Sequence, residues 1–195
     1  RYMKQPIYDM PLDAVKAMLG GGMKFNVWNK LVKRNLYVER GISFPDGYGM
    51  GEDMTMIMLF AMARKIAYMP EAFYHYVKTN INAFSQTYSE RHLKELRYNV
   101  RRVEMFVTEQ FGQDIDEYVA YMKLEAKFPF LLSNDTSRLR LWSKWYSEAN
   151  PYIMSNKNVS LRNRCLQWCA WKNQMWLVRL YSFVFNQIIY GFLYK

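Results

Sequence analysis

Two acidic side chains stand side by side at Glu52-Asp53. They follow a stretch holding Pro45, Gly47, Gly49 and Gly51 and precede Met54, Met58, Leu59, Met62 and Ala63 at helical spacing. A carboxylate at the mouth of a helix, beside a loop that bends several times, lies where a substrate can reach it. There it can take a proton from a hydroxyl as a general base. The helix dipole favours the same two residues in any first turn, so spacing alone supports a cap as readily as a base. Other reactive types are sparse. Cys165 and Cys169 are four apart, on one helix face, but a closed zinc site needs four ligands and only His75 and His92 remain to add. Buried free thiols are the simpler reading. Neither histidine has a nucleophile near it in sequence, and no phosphate-cradling glycine motif is present. Asp114 and Asp116 read as cap and first-turn residues of a helix.

The elements that must position Glu52-Asp53 follow from periodicity. A helix is predicted over 11–19, with Leu12, Val15, Met18 and Leu19 on one face and Gly20-Gly21-Gly22 ending it. Residues 25–28 (Phe, Asn, Val, Trp) predict a short strand, 30–39 a short helix stopped by Gly41, and 42–51 a loop. A helix over 52–65 follows, then strands at 66–69 and 73–77 around Pro70. Beyond Ser89 the pattern is helical: 89–111 with a cap from Ser89 and His92, 114–128, 136–147, and a long, broken run over 160–194. The expectation is therefore a helix-rich α/β fold, a small α/β part with a few short strands ahead of an all-helical part, divided near residues 82–90.

Composition bounds the classes of function. The chain has 195 residues, 51% hydrophobic, with 27 basic and 17 acidic side chains, a net charge of +10. That excludes a disordered or low-complexity chain, and two cysteines cannot make a disulfide framework. The charge suits nucleic acid, anionic lipid or phosphorylated small molecules. After Glu148 no acidic residue occurs, while Lys157, Arg162, Arg164, Lys172, Arg179 and Lys195 are interleaved with Trp168, Trp171, Trp176, Tyr181 and Phe183. An acid-free, aromatic, basic segment reads either as an interfacial membrane helix, here over 171–195, or as a helix packed on its own domain. The basic residues Arg91, Lys94, Arg97, Arg101 and Arg102 read as a solvated helix face. No recognition helix or aromatic RNA motif appears, so nucleic acid is not an expected partner. No secretory leader opens the sequence and no run is long and apolar enough to span a bilayer. The expected location is cytoplasmic, at the inner face of a membrane.

Taken together, Val27-Trp28-Asn29-Lys30-Leu31, Arg34, Ile42-Ser43-Phe44-Pro45, Gly51-Glu52-Asp53, Ala67-Tyr68 and Phe73-Tyr74-His75-Tyr76 resemble, in order and spacing, the second half of the family 2 glycosyltransferases. These are the inverting enzymes of the GT-A type. The resemblance covers roughly residues 12–88, and residues 80–88 are similar to the family's tail after its tyrosine strand.

The resemblance implies a partial GT-A half-domain over 1–88, the acceptor side, followed by a helical region over 89–195. Asp53 would be the general base that deprotonates an acceptor hydroxyl as it attacks the anomeric carbon of a nucleotide-sugar. Glu52 would support the acceptor site, and Trp28 and Lys30 would line it. The donor would be a nucleotide-sugar, and the acceptor a glycan or lipid-linked glycan in cell-surface polysaccharide or glycolipid synthesis. A divalent metal, Mn or Mg, is expected only in the complete enzyme, because this chain lacks the family's D-x-D ahead of Glu52-Asp53. No metal is assigned to the chain's own residues, and the chain by itself is expected to be inactive. His75 and Val77 depart from the family pattern. An incomplete sheet would expose an edge that a second copy could cover, giving a homodimer. The contrasting reading is a non-catalytic basic helical module that binds an anionic membrane surface or a protein partner.

Overall fold

The computed structural model describes residues 7–75, 89–133 and 135–184. It divides into two compact units, 1–118 and 119–195. Part of the sequence-expected boundary near 82–90, the family-like tail at 80–88 and the end of the basic aromatic segment at 185–195 lie outside the described residues.

The first unit is built on helices α1 (Pro11–Leu19), α2 (Arg34–Arg40), α3 (Thr55–Ala61) and α4 (Glu90–Phe111). Pro11 opens α1, where its missing N–H costs nothing. Ala14, Val15, Met18 and Leu19 of α1 are buried against α3, apolar but for Thr55 at its start, which packs in turn on α4. On α4 the residues His92, Glu95, Leu96, Asn99, Val100, Val103 and Val107 form one buried stripe at helical spacing. Its start is the capping box expected at Ser89. The Ser89 hydroxyl accepts the His92 N–H at 3.3 Å, and His92 Nδ1 accepts the Ser89 N–H at 3.4 Å.

The expected α/β architecture is corrected. Among the described residues there is no sheet, only one antiparallel bridge between Tyr8 and Ile66. Residues 25–28 curl into the 3-10 turn Val27–Asn29, residues 66–69 pair at Ile66 alone, and residues 73–75 form no strand. The physical reason is the absence of a neighbour. β propensity measures how a side chain fits a half-buried pleated surface, and these short aromatic runs have no such surface to join. A GT-A half-domain is thus not evident, and the described residues hold no sheet edge for a second copy to extend. The helix expected over 52–65 is shorter and begins as the 3-10 turn Glu52–Met54.

The second unit holds α5 (Asp116–Lys127, which the unit division enters), α6 (Thr136–Lys144), α7 (Leu161–Trp171) and α8 (Met175–Phe183). Its core gathers Met122, Phe130, Leu131, Trp142 and Ile153, with the Phe130 and Trp145 rings edge to face at 5.0 Å. Lys127 is fully buried among them. Its ammonium donates to the carbonyls of Trp145 (2.9 Å) and Tyr146 (3.2 Å) and to Asn150 Oδ1 (2.6 Å), and stands 4.4 Å from the centre of the Trp142 ring. Tyr146 takes the left-handed conformation, φ 47°, at the turn this ammonium grips. The break expected in the last helical run falls at Asn173, φ 58°, between α7 and α8. Among the described residues no helix is long and apolar enough to cross a membrane.

Candidate functional site

Asp53 sits in the 3-10 turn that leads into α3. Its two carboxylate oxygens accept from different places: the Asn26 side-chain amide at 3.4 Å and the Val27 backbone N–H at 3.3 Å. The carboxylate thereby fastens the start of α3 to the turn that carries Trp28. Trp28 is 42% exposed and its ring stacks on Tyr74, centroids 5.4 Å apart and planes 23° from parallel. An exposed aromatic surface therefore lies beside a carboxylate fixed by two donors.

Lys30 closes the same turn. Its ammonium donates to the carbonyls of Lys24 and Asn26 and to Asn29 Oδ1. It thus points into its own loop, with three oxygen acceptors around it. Burial lowers its pKa to about 8, against the opposing pull of the Asp53 carboxylate. Glu52 shifts the other way. Desolvation raises its pKa, and the like charges of Asp53 and Glu95 add to the rise, while a backbone hydrogen bond opposes it. Structure thus fastens Asp53 to the turn that carries Trp28 and Lys30, with Glu52 beside Asp53 in its own turn.

The loop ahead of the carboxylates is held by α4. Glu95, 3% exposed, accepts the Met50 N–H at 3.0 Å and the Arg91 guanidinium at 2.6 Å. The Met50 hydrogen bond, then the arginine, holds the Glu95 carboxyl below its ordinary range. Asn99 donates to the Met50 carbonyl at 2.9 Å. Arg102 donates to Thr55 Oγ1 at 3.0 Å and to the Ser43 carbonyl, and the Tyr48 and Tyr98 rings stack 3.9 Å apart. These residues recur at helical spacing on one face of α4. Arg91, Lys94, Arg97 and Arg101 are exposed, as expected of a solvated face, and Arg102 departs from it by reaching Thr55 and the Ser43 carbonyl.

Sequence reasoning missed Asn26 and Tyr74 as partners of the site, and Glu95 and Asn99 as its supports. The last two left a signal. A Glu and an Asn four apart, inside the stripe Leu96, Val100, Val103, are polar residues at core positions, and such groups are buried only with partners. Asn26 left none, since an amide in a short aromatic run reads as an ordinary turn residue. Among the described residues no three His, Cys, Asp or Glu side chains converge on a metal-sized site. The described side chains therefore offer no ligand group for the divalent ion that the resemblance attaches to the complete enzyme. No family model, curated protein or solved structure matches the chain.

Proposed function

We propose that this chain supplies the acceptor side of an inverting glycosyltransferase of the family 2 kind, with Asp53 as general base. The observation that carries the reading is the Asp53 carboxylate, held by Asn26 and the Val27 N–H beside the exposed Trp28–Tyr74 stack. A flat aromatic surface suits the C–H face of a sugar ring, and a neighbouring carboxylate can receive a proton from that sugar's hydroxyl. The acceptor O–H proton passes to Asp53, the oxygen forms a bond to the anomeric carbon, and the bond from that carbon to the nucleoside diphosphate breaks. Attack from the side opposite the leaving group inverts the anomer. Glu52, its pKa raised, neighbours the acceptor position, and Lys30 holds the turn that presents Trp28. The donor is a nucleotide-sugar, the acceptor a glycan or lipid-linked glycan, and the setting the cytoplasmic face of a membrane. The reading rests on the site and not on a sheet.

The test uses the full-length protein and a panel of nucleotide-sugars, following nucleoside diphosphate release. Asp53→Asn is expected to lower turnover by about 100-fold or more while donor binding by calorimetry is unchanged. Trp28→Ala is expected to raise the acceptor KM more than it lowers kcat. Turnover retained in Asp53→Asn overturns the base assignment.

A further inference from the structure

Helix α8 buries Val178, 1% exposed, in its own unit and turns Trp176, Leu180 and Phe183 to water at 61%, 51% and 62% exposure. Their spacing of four and three places them on one face. A helix packed only on its own domain shows the reverse pattern, polar residues outward. The preceding helix, α7, exposes Leu161 and Trp168 as well. The indole N–H of Trp176 donates to Gln174 Oε1 at 2.7 Å.

Basic groups surround this apolar stripe. Arg179 borders it and, with Arg140 and Leu139 of α6 and Met175, lines an open groove of about 230 Å³. Thr136 and Ser143 complete the lining, which contains no carboxylate. Arg162 and Lys172 are exposed on and just after α7, and no acidic residue follows Glu148.

We propose that α8 and the Arg140–Arg179 groove form a contact surface for an anionic phospholipid membrane, with headgroup phosphates on the guanidiniums and the Trp176–Leu180–Phe183 face in the acyl boundary. The pairing of charge with aliphatic exposure selects this occupant. A nucleic acid would satisfy the arginines, and its bases could stack on Trp176, but Leu180 and Val184 gain nothing from a hydrated phosphate backbone. A second copy would set like charges against one another. Only an anionic interface offers phosphate and hydrocarbon within one helix diameter. The surface belongs to the second unit and needs no transfer chemistry.

The test is cosedimentation of the full chain with vesicles of phosphatidylcholine alone and of equal parts phosphatidylcholine and phosphatidylglycerol. Pelleting is expected with the mixed vesicles, falling as NaCl is raised, and little with the neutral ones. Leu180→Glu with Phe183→Glu alters two exposed positions, so far-UV circular dichroism should be retained while vesicle partitioning drops by about tenfold or more. Arg140→Glu with Arg179→Glu should drop it by a similar factor. Equal pelleting with both vesicle types, no pelleting, or wild-type pelleting of the Leu180→Glu/Phe183→Glu variant overturns the proposal. So does tighter binding to a single-stranded oligonucleotide, or a dimer in light scattering that the same variant splits.

Discussion

Lys127 shows how far one side chain can organise a unit. A lysine with no exposed surface surrenders its hydration, and here backbone and amide oxygens of residues 145–150 replace the water. Lys127→Met keeps the volume but leaves those oxygens without a donor, and each unsatisfied buried group costs about 1–3 kcal/mol. Relief of the buried charge offsets part of that, so we expect a net loss of roughly 3 kcal/mol in urea unfolding. The pH dependence has a definite sign. Burial, opposed by the Glu148 carboxylate, lowers the folded pKa from 10.5 to about 8. Between those values the unfolded chain binds more protons, so stability rises with pH in that window. The difference between wild type and Lys127→Met should therefore widen from pH 8 to pH 10. A constant difference would show that the ammonium keeps its proton in the folded state.

At the scale of elements, α4 holds the loop that delivers Glu52-Asp53, and Gly51 is the point of closest approach. It has φ 84°, and a Cβ there would lie 3.2 Å from Leu96 Cδ1 and 3.4 Å from Asn99 Cβ. Gly51→Ala combines a left-handed backbone with an overpacked neighbour. The conformation alone costs about 1–2 kcal/mol, and we expect at least that loss in thermal unfolding. Amide exchange at Met50 should also accelerate, because the bonds to Glu95 and Asn99 are strained together. Unchanged exchange at Met50 would mean that α4 does not control the loop. The helices α1 and α4 could be read from sequence because each carries a long apolar stripe and a clear start or stop: Pro11 and the Gly20–Gly22 run for one, Ser89 and Gly112 for the other. The strands were misread because a short, mostly apolar or aromatic run fits a strand or a turn, and only a partner strand decides between them. The placement of Glu52-Asp53 beside a helix start was legible. The Asp53 bonds to Asn26 and Val27, 27 and 26 residues away in sequence, were not, since periodicity carries no information on such distant pairing.

For the whole molecule, the tryptophans are unevenly shared. Trp28 belongs to the first unit, and Trp142, Trp145, Trp168, Trp171 and Trp176 to the second. Tryptophan emission thus follows mainly one unit, while circular dichroism follows the helices of both. If each unit has its own core, the two signals should give different unfolding midpoints. Lys127→Met should then shift the emission transition, and Gly51→Ala only the dichroism. Coincident transitions in both variants would show one cooperative structure. A last consequence comes from Glu148, which the Lys123 ammonium meets at 2.9 Å. It is the final carboxylate of the sequence, and both histidines, His75 and His92, lie before it. No Asp, Glu or His side chain beyond Glu148 can gain or lose a proton in the range from mildly acid to neutral. Helices α7 and α8 therefore carry no acid sensor among their own side chains, although Asp135, next in sequence to the groove residue Thr136, is a carboxylate of the same unit. Within those two helices acid leaves the side-chain charge as it stands, while ionic strength, or a charge added covalently, turns its reach up or down.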